Sequence, residues 1–169
     1  MKKFFLLLLS LVWLSASIVR GEEPHKGYRG YVDFALGDAY NFNTNQKIST
    51  NNMQWYSMIS TTHGYQMKKW FIGGGAGYYH SFRDKENMYP VYAAGRYTFR
   101  NVKMTPYVEA RAGIMYDPNW AKEKVQKYGA LCAGVKAYKR LLVGIRMSAF
   151  SRPSRYFTAN CGIVISFEI

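Results

Sequence analysis

Several features are scarce in this sequence, and their scarcity limits the classes of protein to which the chain can belong. After residue 21 there is no apolar run approaching the roughly 20 residues that a transmembrane helix needs. The chain has only two cysteines and three scattered histidines, which provide no ligand set for a metal. Acidic residues are also few, ten against 23 basic residues, and the net charge is +13. We therefore predict no helical span after residue 21, and no metal or cofactor.

The N-terminus has the pattern of a secretory signal peptide. Two lysines precede an apolar run from Phe4 to Leu14, and three small residues follow it. A positive segment, an apolar segment of this length and a small-residue zone are the three parts of such a peptide. We predict a signal peptide at residues 1–21 and one domain at residues 22–169, with cleavage after Ser17 or after Gly21. No cysteine lies near this zone, so a lipoprotein anchor is not indicated.

Export changes the kind of binding partner that the net positive charge indicates. Removing residues 1–21 takes away three basic residues and no acid, which leaves a net charge of +10. In a cytoplasmic protein this excess would suggest a nucleic-acid partner, but an exported chain does not routinely meet nucleic acid. Anionic lipid head groups are then the expected counterpart.

The last fourteen residues show the clearest secondary-structure pattern. From Tyr156 to Ile169 every second residue is apolar, and the residues between them are mostly polar or small. Side chains of a strand point alternately to opposite faces, so this pattern predicts a strand with one apolar and one polar face. At about 3.3 Å per residue the strand would span about 46 Å, which suits a tilted strand that crosses a membrane.

Seven further segments with strand character precede it, separated by turn residues. The predicted strands are residues 27–36, 52–62, 70–81, 89–100, 105–116, 128–138, 141–150 and 156–169. Outer-membrane barrels have an even number of strands, short periplasmic turns and longer outer loops, and the connections here alternate in length accordingly. We therefore predict an all-β fold, an eight-stranded antiparallel up-and-down transmembrane β-barrel with both termini in the periplasm. The facing of the second and third strands stays open.

Charged residues occupy the predicted inner faces of these strands, whereas the outer faces are apolar and uncharged. The inward charges are Asp33, Arg96, Glu109, Arg111, Lys136, Arg146 and Glu168. A soluble eight-stranded barrel would instead point its charges outward. Eight strands enclose a space that side chains can fill, and charges there must be paired. We predict a salt-bridged plug that closes the lumen, with a conducting pathway or a ligand site as the alternative.

The same alternation decides how the two cysteines lie. It places Cys132 inward and Cys161 outward, on strands that another strand separates. A disulfide needs Cα atoms within about 7 Å and converging side chains, so we predict that these two residues do not pair.

Basic residues are concentrated in the predicted outer loops, around one tryptophan. The residues concerned are Arg83, Lys85, Trp120, Lys122, Lys124, Lys127, Arg152 and Arg155. They are candidates for contact with the phosphates of lipopolysaccharide or, for Trp120, with a protein partner; solvated loop charge is the plain alternative. Aromatic residues near the strand ends fit the interfacial girdles of outer-membrane barrels. The girdle candidates are Trp55, Trp70, Tyr78, Tyr79, Tyr89, Tyr116, Tyr138 and Tyr156.

Four segments carry a resemblance to a known family. They are Thr61–Gln66, Phe71–Gly77, Pro90–Ala93 and Thr105–Gly113. Over residues 55–169 the chain resembles the small porin-like outer-membrane β-barrels of Bacteroidales bacteria. It departs from many outer-membrane barrels at its end, where Ile169 stands in place of a terminal aromatic residue. The resemblance implies a barrel fold and an outer-membrane location, and it assigns no reaction and no catalytic residue.

Three functions fit these observations. The first is a non-enzymatic, monomeric barrel with a structural or interaction role in the cell envelope. The second is an accessory component of an envelope machine for secretion or nutrient uptake. The third is a lipid-A-modifying enzyme, because His80 and Ser81 are adjacent at the outer end of a strand and a histidine can activate a serine. His63 lies beside a predicted periplasmic turn, where we expect it to form local hydrogen bonds.

Overall fold

Each strand of the protein pairs with the next one along the chain, and the last pairs with the first. The computed structural model describes residues 26–43, 53–99, 104–118, 124–138, 140–152 and 156–169, so the predicted signal peptide lies outside the described residues. The strands in this part of the chain are β1 (Gly27–Asn43), β2 (Met53–Met67), β3 (Trp70–Ser81), β4 (Glu86–Thr98), β5 (Thr105–Tyr116), β6 (Val125–Tyr138), β7 (Leu141–Arg152) and β8 (Tyr156–Glu168). No helix within the described ranges is both long and apolar enough to span a bilayer.

Pairing between β1 and β8 closes the barrel. Their ladder runs from Tyr31 opposite Glu168 to Asn43 opposite Tyr156. Each strand therefore has two hydrogen-bonded neighbours, and the sheet has no free edge. Closure also allows strands to lie in hydrocarbon, because the backbone polar groups are then bonded between strands. The eight-stranded antiparallel barrel that the sequence predicts is confirmed.

The two ends of the barrel carry different connections. Gly27 and Glu168 lie at one end, together with the turns that follow β2, β4 and β6, and we call it the terminal end. The turn after β2 consists of Lys68 and Lys69 alone. The opposite end, which we call the loop end, carries the connections that follow β1, β3, β5 and β7.

Alternation along the strands separates an apolar outer surface from a polar interior. Large apolar side chains from all eight strands are exposed on the outside. Examples are Phe34, Ile59, Ile72, Val91, Leu131 and Ile145. Leaving such surface in water costs roughly 25 cal/mol for each Å², and contact with hydrocarbon removes that cost. An apolar belt around a closed barrel is the surface that lipid contact requires.

Five strands are longer than the sequence predicts, and β1 and β2 differ most. β1 continues to Asn43 instead of ending at residue 36, because β8 provides backbone partners from Tyr31 to Asn43. β2 continues to Met67, so residues 63–67 are strand and only the next two residues turn. The ladder hydrogen bonds of the closed sheet override the polar composition that favoured loops in these places.

Two residues lie on the face opposite to the predicted one, and one charge lies on the outer face where none was expected. Asp38 lies on the outer face, opposite the exposed Trp55, although that face was expected to carry no charge. This happens because β1 extends through a stretch that was predicted to be a loop. Tyr79 is buried in the lumen rather than placed in the outer girdle, because the inward residues of β3 are the odd-numbered ones. Ala137 is buried although alternation predicts it outside, since a bulge after Lys136 leaves it without a partner in β7.

The structure settles the facing of β2 and β3. Inward residues of β2 include Tyr56 and Thr62, and those of β3 include Phe71 and Gly75. A Cβ added to Gly75 would lie 2.8 Å from the ring of Tyr92. Glycine therefore makes room here for the ring of Tyr92, its cross-strand partner in β4, whose hydroxyl reaches Thr62 of β2.

The two thiols lie on opposite faces of the wall. Cys132 of β6 is buried in the lumen, whereas Cys161 of β8 is exposed on the outer surface. Both are free. Strand alternation alone predicts this arrangement.

Candidate functional site

Asp33 of β1 lies at the centre of an ion-pair network in the middle of the lumen. Its Oδ2 accepts a hydrogen bond from Nη2 of Arg111 and another from Nη2 of Arg146, the second at 2.8 Å. Arg111 belongs to β5 and Arg146 to β7. The network therefore spans the lumen between strands that are not neighbours in the wall.

Glu109 extends this network to a third arginine. Its Oε2 accepts a hydrogen bond from Nε of Arg96 at 2.6 Å, and its Oε1 accepts one from Nε of Arg111 at 2.5 Å. Arg96 and Glu109 are cross-strand neighbours in β4 and β5. The Arg96 guanidinium carbon also lies 4.0 Å from the ring centre of Tyr31 and 4.9 Å from that of Tyr107, an arrangement that stabilises a buried cation.

These five charged residues form what we call the central network, namely Asp33, Arg96, Glu109, Arg111 and Arg146. Three arginines and two carboxylates leave it with one net positive charge. The exposed fraction of its members is between 0% and 4%. A side chain that lined a water-filled channel would keep exposed surface, so the central network fills its cross-section of the lumen. Removing one partner of such a pair costs about 3–5 kcal/mol, because the other charge stays buried and unpaired.

A second, smaller network lies near the terminal end. Glu168 of β8 forms an ion pair with Arg29 of β1 and accepts a hydrogen bond from Nζ of Lys136 at 2.9 Å. The side chains of Arg29 and Lys136 are 25% and 32% exposed, so water reaches this end of the lumen. Arg29 is missing from the predicted set of lumen charges. The signal was present, since residue 29 shares the inward parity of Asp33 along β1.

Aromatic rings fill the lumen on the loop side of the central network. The rings of Tyr56 and Tyr79 stack with their centres 5.3 Å apart, and Phe150 packs edge-on against Tyr79 at 5.7 Å. Tyr92 and Tyr128 form a second pair at 5.9 Å. The sequence prediction missed this aromatic layer because it considered only the charges on the inner faces. The available signal was that tyrosines occupy inward positions in the alternation of several strands.

The predicted pair of His80 and Ser81 is not a catalytic pair. Ser81 is buried in the lumen and donates a hydrogen bond to Oε1 of Gln54 at 3.1 Å. His80 faces the outer surface, where its Nδ1 lies 2.8 Å from Oδ1 of Asn87. Consecutive residues of a strand point to opposite faces, so the wall of the barrel separates the two side chains.

A different serine is the neighbour of His80. Ser57 of β2 lies directly opposite His80 of β3, which in turn lies opposite Asn87 of β4. All three side chains face outward near the loop end, and directly opposed residues of antiparallel strands have Cβ atoms about 4.5–5.5 Å apart. We call Ser57, His80 and Asn87 the outer row.

His63 lies in a hydrogen-bonded chain on the outer surface near the terminal end. Its Nδ1 lies 2.6 Å from the hydroxyl of Tyr28, and its Nε2 lies 2.8 Å from Oγ1 of Thr61. Tyr28 belongs to β1, so the chain joins β1 to β2. This agrees with the local hydrogen bonding expected of His63, although the residue is part of a strand and not of a turn.

The basic residues predicted in the outer loops lie at the loop end where the structure describes them. Arg83 and Lys85 belong to the turn after β3, and both are exposed. Lys124 and Lys127 are exposed at the start of β6. Arg152 is the last residue of β7. Trp120, Lys122 and Arg155 lie outside the described residues. Among the described residues, no group of three or more metal-ligating side chains could hold a metal ion.

No family model and no curated protein matches the chain. Among solved structures, the fold is similar to Neisserial surface protein A, with a TM-score of 0.54 and 11% identity over 83% of this chain and 98% of that one. It is similar to the outer membrane enzyme PagL, with a TM-score of 0.59 and 15% identity over 81% of this chain and 98% of that one.

It is also similar to Ail, the attachment invasion locus protein of Yersinia pestis, with a TM-score of 0.53 and 6% identity over 88% of this chain and all of that one. Identities this low show the fold alone. The three proteins differ in the roles that their names describe, one being an enzyme. The chain therefore has the fold of the small eight-stranded outer-membrane β-barrels.

Proposed function

We propose that the protein is a closed outer-membrane barrel with a structural or interaction role, and that its loops contact lipopolysaccharide. The observation that carries this proposal is the central network, in which charged side chains from four strands are paired and buried across the lumen. A conducting pathway requires side chains in contact with water, and the side chains of the central network have almost no exposed surface. The lumen then acts as a rigid support for the wall and not as a route for solutes.

Three observations support an outer-membrane location. The outer surface is an apolar belt, with exposed aromatic residues towards both ends. The fold is similar to that of known outer-membrane barrels. The N-terminal sequence has the pattern of a cleaved signal peptide. In this location the terminal end faces the periplasm, and the loop end lies among lipopolysaccharide.

Exposed cations at the loop end support contact with lipopolysaccharide. Arg83, Lys85, Lys124 and Lys127 lie in or beside two neighbouring connections. Lysine and arginine bind phosphate through charge-assisted hydrogen bonds. A structure of Ail in complex with the heparin analogue sucrose octasulfate, which is a polyanion, has a TM-score of 0.50 to this chain.

Planar-bilayer recording tests the closed lumen. We expect the wild-type barrel to show no steady conductance, and a steady open level in the wild type would overturn the proposal. Retention of lipopolysaccharide by the purified barrel tests the loops. The variant Lys85→Gln/Lys124→Gln/Lys127→Gln should retain less of it, and equal retention would remove the loops from the proposal. A stoichiometric protein in a crosslinked pull-down from outer membranes would instead make the barrel part of a larger envelope machine.

The outer row favours one second function, the hydrolysis of lipid esters. Tyr78 donates a hydrogen bond to Oδ1 of Asn87 at 2.6 Å, which makes that oxygen an acceptor. Nδ1 of His80, at 2.8 Å from the same oxygen, therefore carries a proton and donates it. The other ring nitrogen, Nε2, then has the lone pair that a general base needs. Asn87 acts as a positioning residue for His80, and Ser57 provides the hydroxyl group beside this base.

The reaction that this row supports is acyl transfer to water. Oγ of Ser57 attacks the acyl carbon of an ester, and its proton passes to Nε2 of His80. The alcohol leaves with that proton, and a water molecule then hydrolyses the acyl-serine to release a carboxylic acid. A substrate bound at this site would be a membrane lipid, because the row faces outward near the loop end.

A fluorophosphonate probe tests this second function on the purified barrel. Wild-type protein should be labelled, and Ser57→Ala should abolish the labelling. Ser81→Ala is the matched control, since it removes a serine hydroxyl from the lumen side of the same wall. Absence of labelling in the wild type, or equal labelling of Ser57→Ala, would eliminate ester hydrolysis.

A further inference from the structure

The central network contains one more cation than it has carboxylates to pair with. Asp33 is shared between Arg111 and Arg146. Glu109 is shared in the same way, between Arg96 and Arg111. A net charge is costly in a space with almost no exposed surface, because water no longer solvates it. The excess positive charge therefore favours a further, negatively charged partner.

Arg146 is the cation of this network with the fewest hydrogen bonds. Its Nη2 donates to Oδ2 of Asp33 at 2.8 Å. Its Nε and Nη1 have no hydrogen-bond partner among the described residues, although the side chain is only 1% exposed. Arg96, by comparison, leaves a single nitrogen, Nη1, without a partner in the same part of the chain. Unbonded N–H groups of a buried cation are unfavourable, so Nε and Nη1 of Arg146 mark a position for a hydrogen-bond acceptor.

Two buried tyrosine hydroxyls lie near Arg146. Neither the hydroxyl of Tyr56 nor that of Tyr128 has a hydrogen-bond partner within the described ranges. The Tyr56 hydroxyl lies 2.6 Å from the point that a Cβ at Gly162 would occupy, and Gly162 is directly opposite Arg146 in the ladder between β7 and β8. Both tyrosines also interact electrostatically with Arg146. Side chains of β2, β6 and β7 thus present hydrogen-bond donors to one part of the lumen.

This set of donors suits a small monovalent anion. A guanidinium group only donates hydrogen bonds, and a tyrosine hydroxyl can donate one. One negative charge balances the single positive charge in excess, whereas a water molecule provides an acceptor without a charge. A divalent anion such as phosphate would leave a net negative charge in the same buried space. Chloride has the charge and the small size that the site requires.

We propose that Arg146, Tyr56 and Tyr128 bind one chloride ion where the central network meets the aromatic layer of the lumen. The ion accepts hydrogen bonds from Nε and Nη1 of Arg146 and from the two hydroxyls, and it completes the charge balance of the central network. This role goes beyond the proposed function of the barrel, since it involves neither the loops nor the outer row.

Urea titration of the barrel in lipid vesicles tests this site, with sodium chloride replacing sodium gluconate at constant ionic strength. Gluconate is too large to enter the filled lumen. One ion bound only to the folded barrel should lower the unfolding equilibrium constant by about tenfold for each tenfold rise in chloride above the Kd. The variant Tyr56→Phe/Tyr128→Phe keeps both rings and every charge, and it should lose most of this dependence. Arg146→Met should abolish it.

Tyr79→Phe is the matched control, because it removes a lumen hydroxyl that already donates to Oδ1 of Asn160, at 3.4 Å. It should keep the chloride dependence of the wild type. Equal unfolding of the wild type in chloride and gluconate would overturn the proposal. Wild-type chloride dependence in Tyr56→Phe/Tyr128→Phe would also overturn it, since the ion would then bind elsewhere.

Crystals of the wild type grown in sodium bromide provide a measurement that needs no variant. An anomalous bromide peak should lie between Arg146 and the two hydroxyls. Density for water alone at this position would overturn the proposal.

Discussion

Replacing Glu109 with glutamine tests whether charge pairing holds the lumen together. The substitution keeps the size of the side chain and removes its charge. In the wild type this carboxylate bonds to Arg96 through one oxygen and to Arg111 through the other. The central network changes from one net positive charge to two, inside a space with almost no exposed surface.

Arg96 and Arg111 differ in how much of their charge stays paired in the variant. Arg111 keeps its ion pair with Asp33 and its hydrogen bonds to Ser60 and Tyr92. Among the described residues, Glu109 is the one carboxylate that forms an ion pair with Arg96, so this cation loses its only counter-charge. Contacts with aromatic rings compensate by about 0.5–2 kcal/mol. We expect the free energy of unfolding to fall by about 3–5 kcal/mol, the usual cost of breaking a buried pair.

A second substitution separates this explanation from a general loss of packing. In Glu109→Gln/Arg96→Met the unpaired cation is gone, so the double variant should be more stable than Glu109→Gln, with a coupling energy of about 0.5–3 kcal/mol. Glu109→Gln/Arg111→Met should show no such recovery, because Asp33 then loses a partner. Asp84→Asn, in the exposed turn after β3, is the surface control and should stay within about 0.5 kcal/mol of the wild type.

Urea titration of the barrel in lipid vesicles, followed by tryptophan fluorescence, measures these differences. Bilayer recordings of Glu109→Gln should show brief openings that the wild type lacks, since the network no longer closes the lumen fully. Wild-type stability in Glu109→Gln would refute the argument. A double variant with Arg96→Met that is no more stable than Glu109→Gln would refute it as well.

Two further predictions concern the wall and the terminal end. Gly75→Ala should lower the free energy of unfolding by about 1–3 kcal/mol, because the new methyl group meets the backbone carbonyl oxygen of Thr61 and the ring of Tyr92. Gly95→Ala, where nothing lies within 4 Å, is the control, and equal losses in the same urea titration would contradict the packing argument. Arg29→Gln should cost less than about 1 kcal/mol, since its ion pair with Glu168 is partly exposed. A loss of unfolding free energy as large as that of Glu109→Gln would contradict the view that this ion pair is screened by water.

The sequence by itself determined the wall of the barrel. Alternation of apolar and polar residues is a local property, because each strand places neighbouring side chains on opposite faces whatever its partners are. It was therefore enough to predict eight strands, the inward position of residues such as Asp33 and Arg111, and the opposite facings of Cys132 and Cys161. It failed where the local pattern is broken, as at the bulge beside Ala137.

Only the tertiary structure decided which residues meet. Asp33 and Arg111 are 78 positions apart and lie on strands that do not pair, so their contact depends on closure of the sheet and on its register. The same holds for Ser57 and His80, which come together through the ladder between β2 and β3, whereas the adjacent His80 and Ser81 are separated by the wall. The reach of β1 to Asn43 also depended on β8 as a partner. Contacts of this kind arise from the whole closed sheet, and no local pattern of residues encodes them.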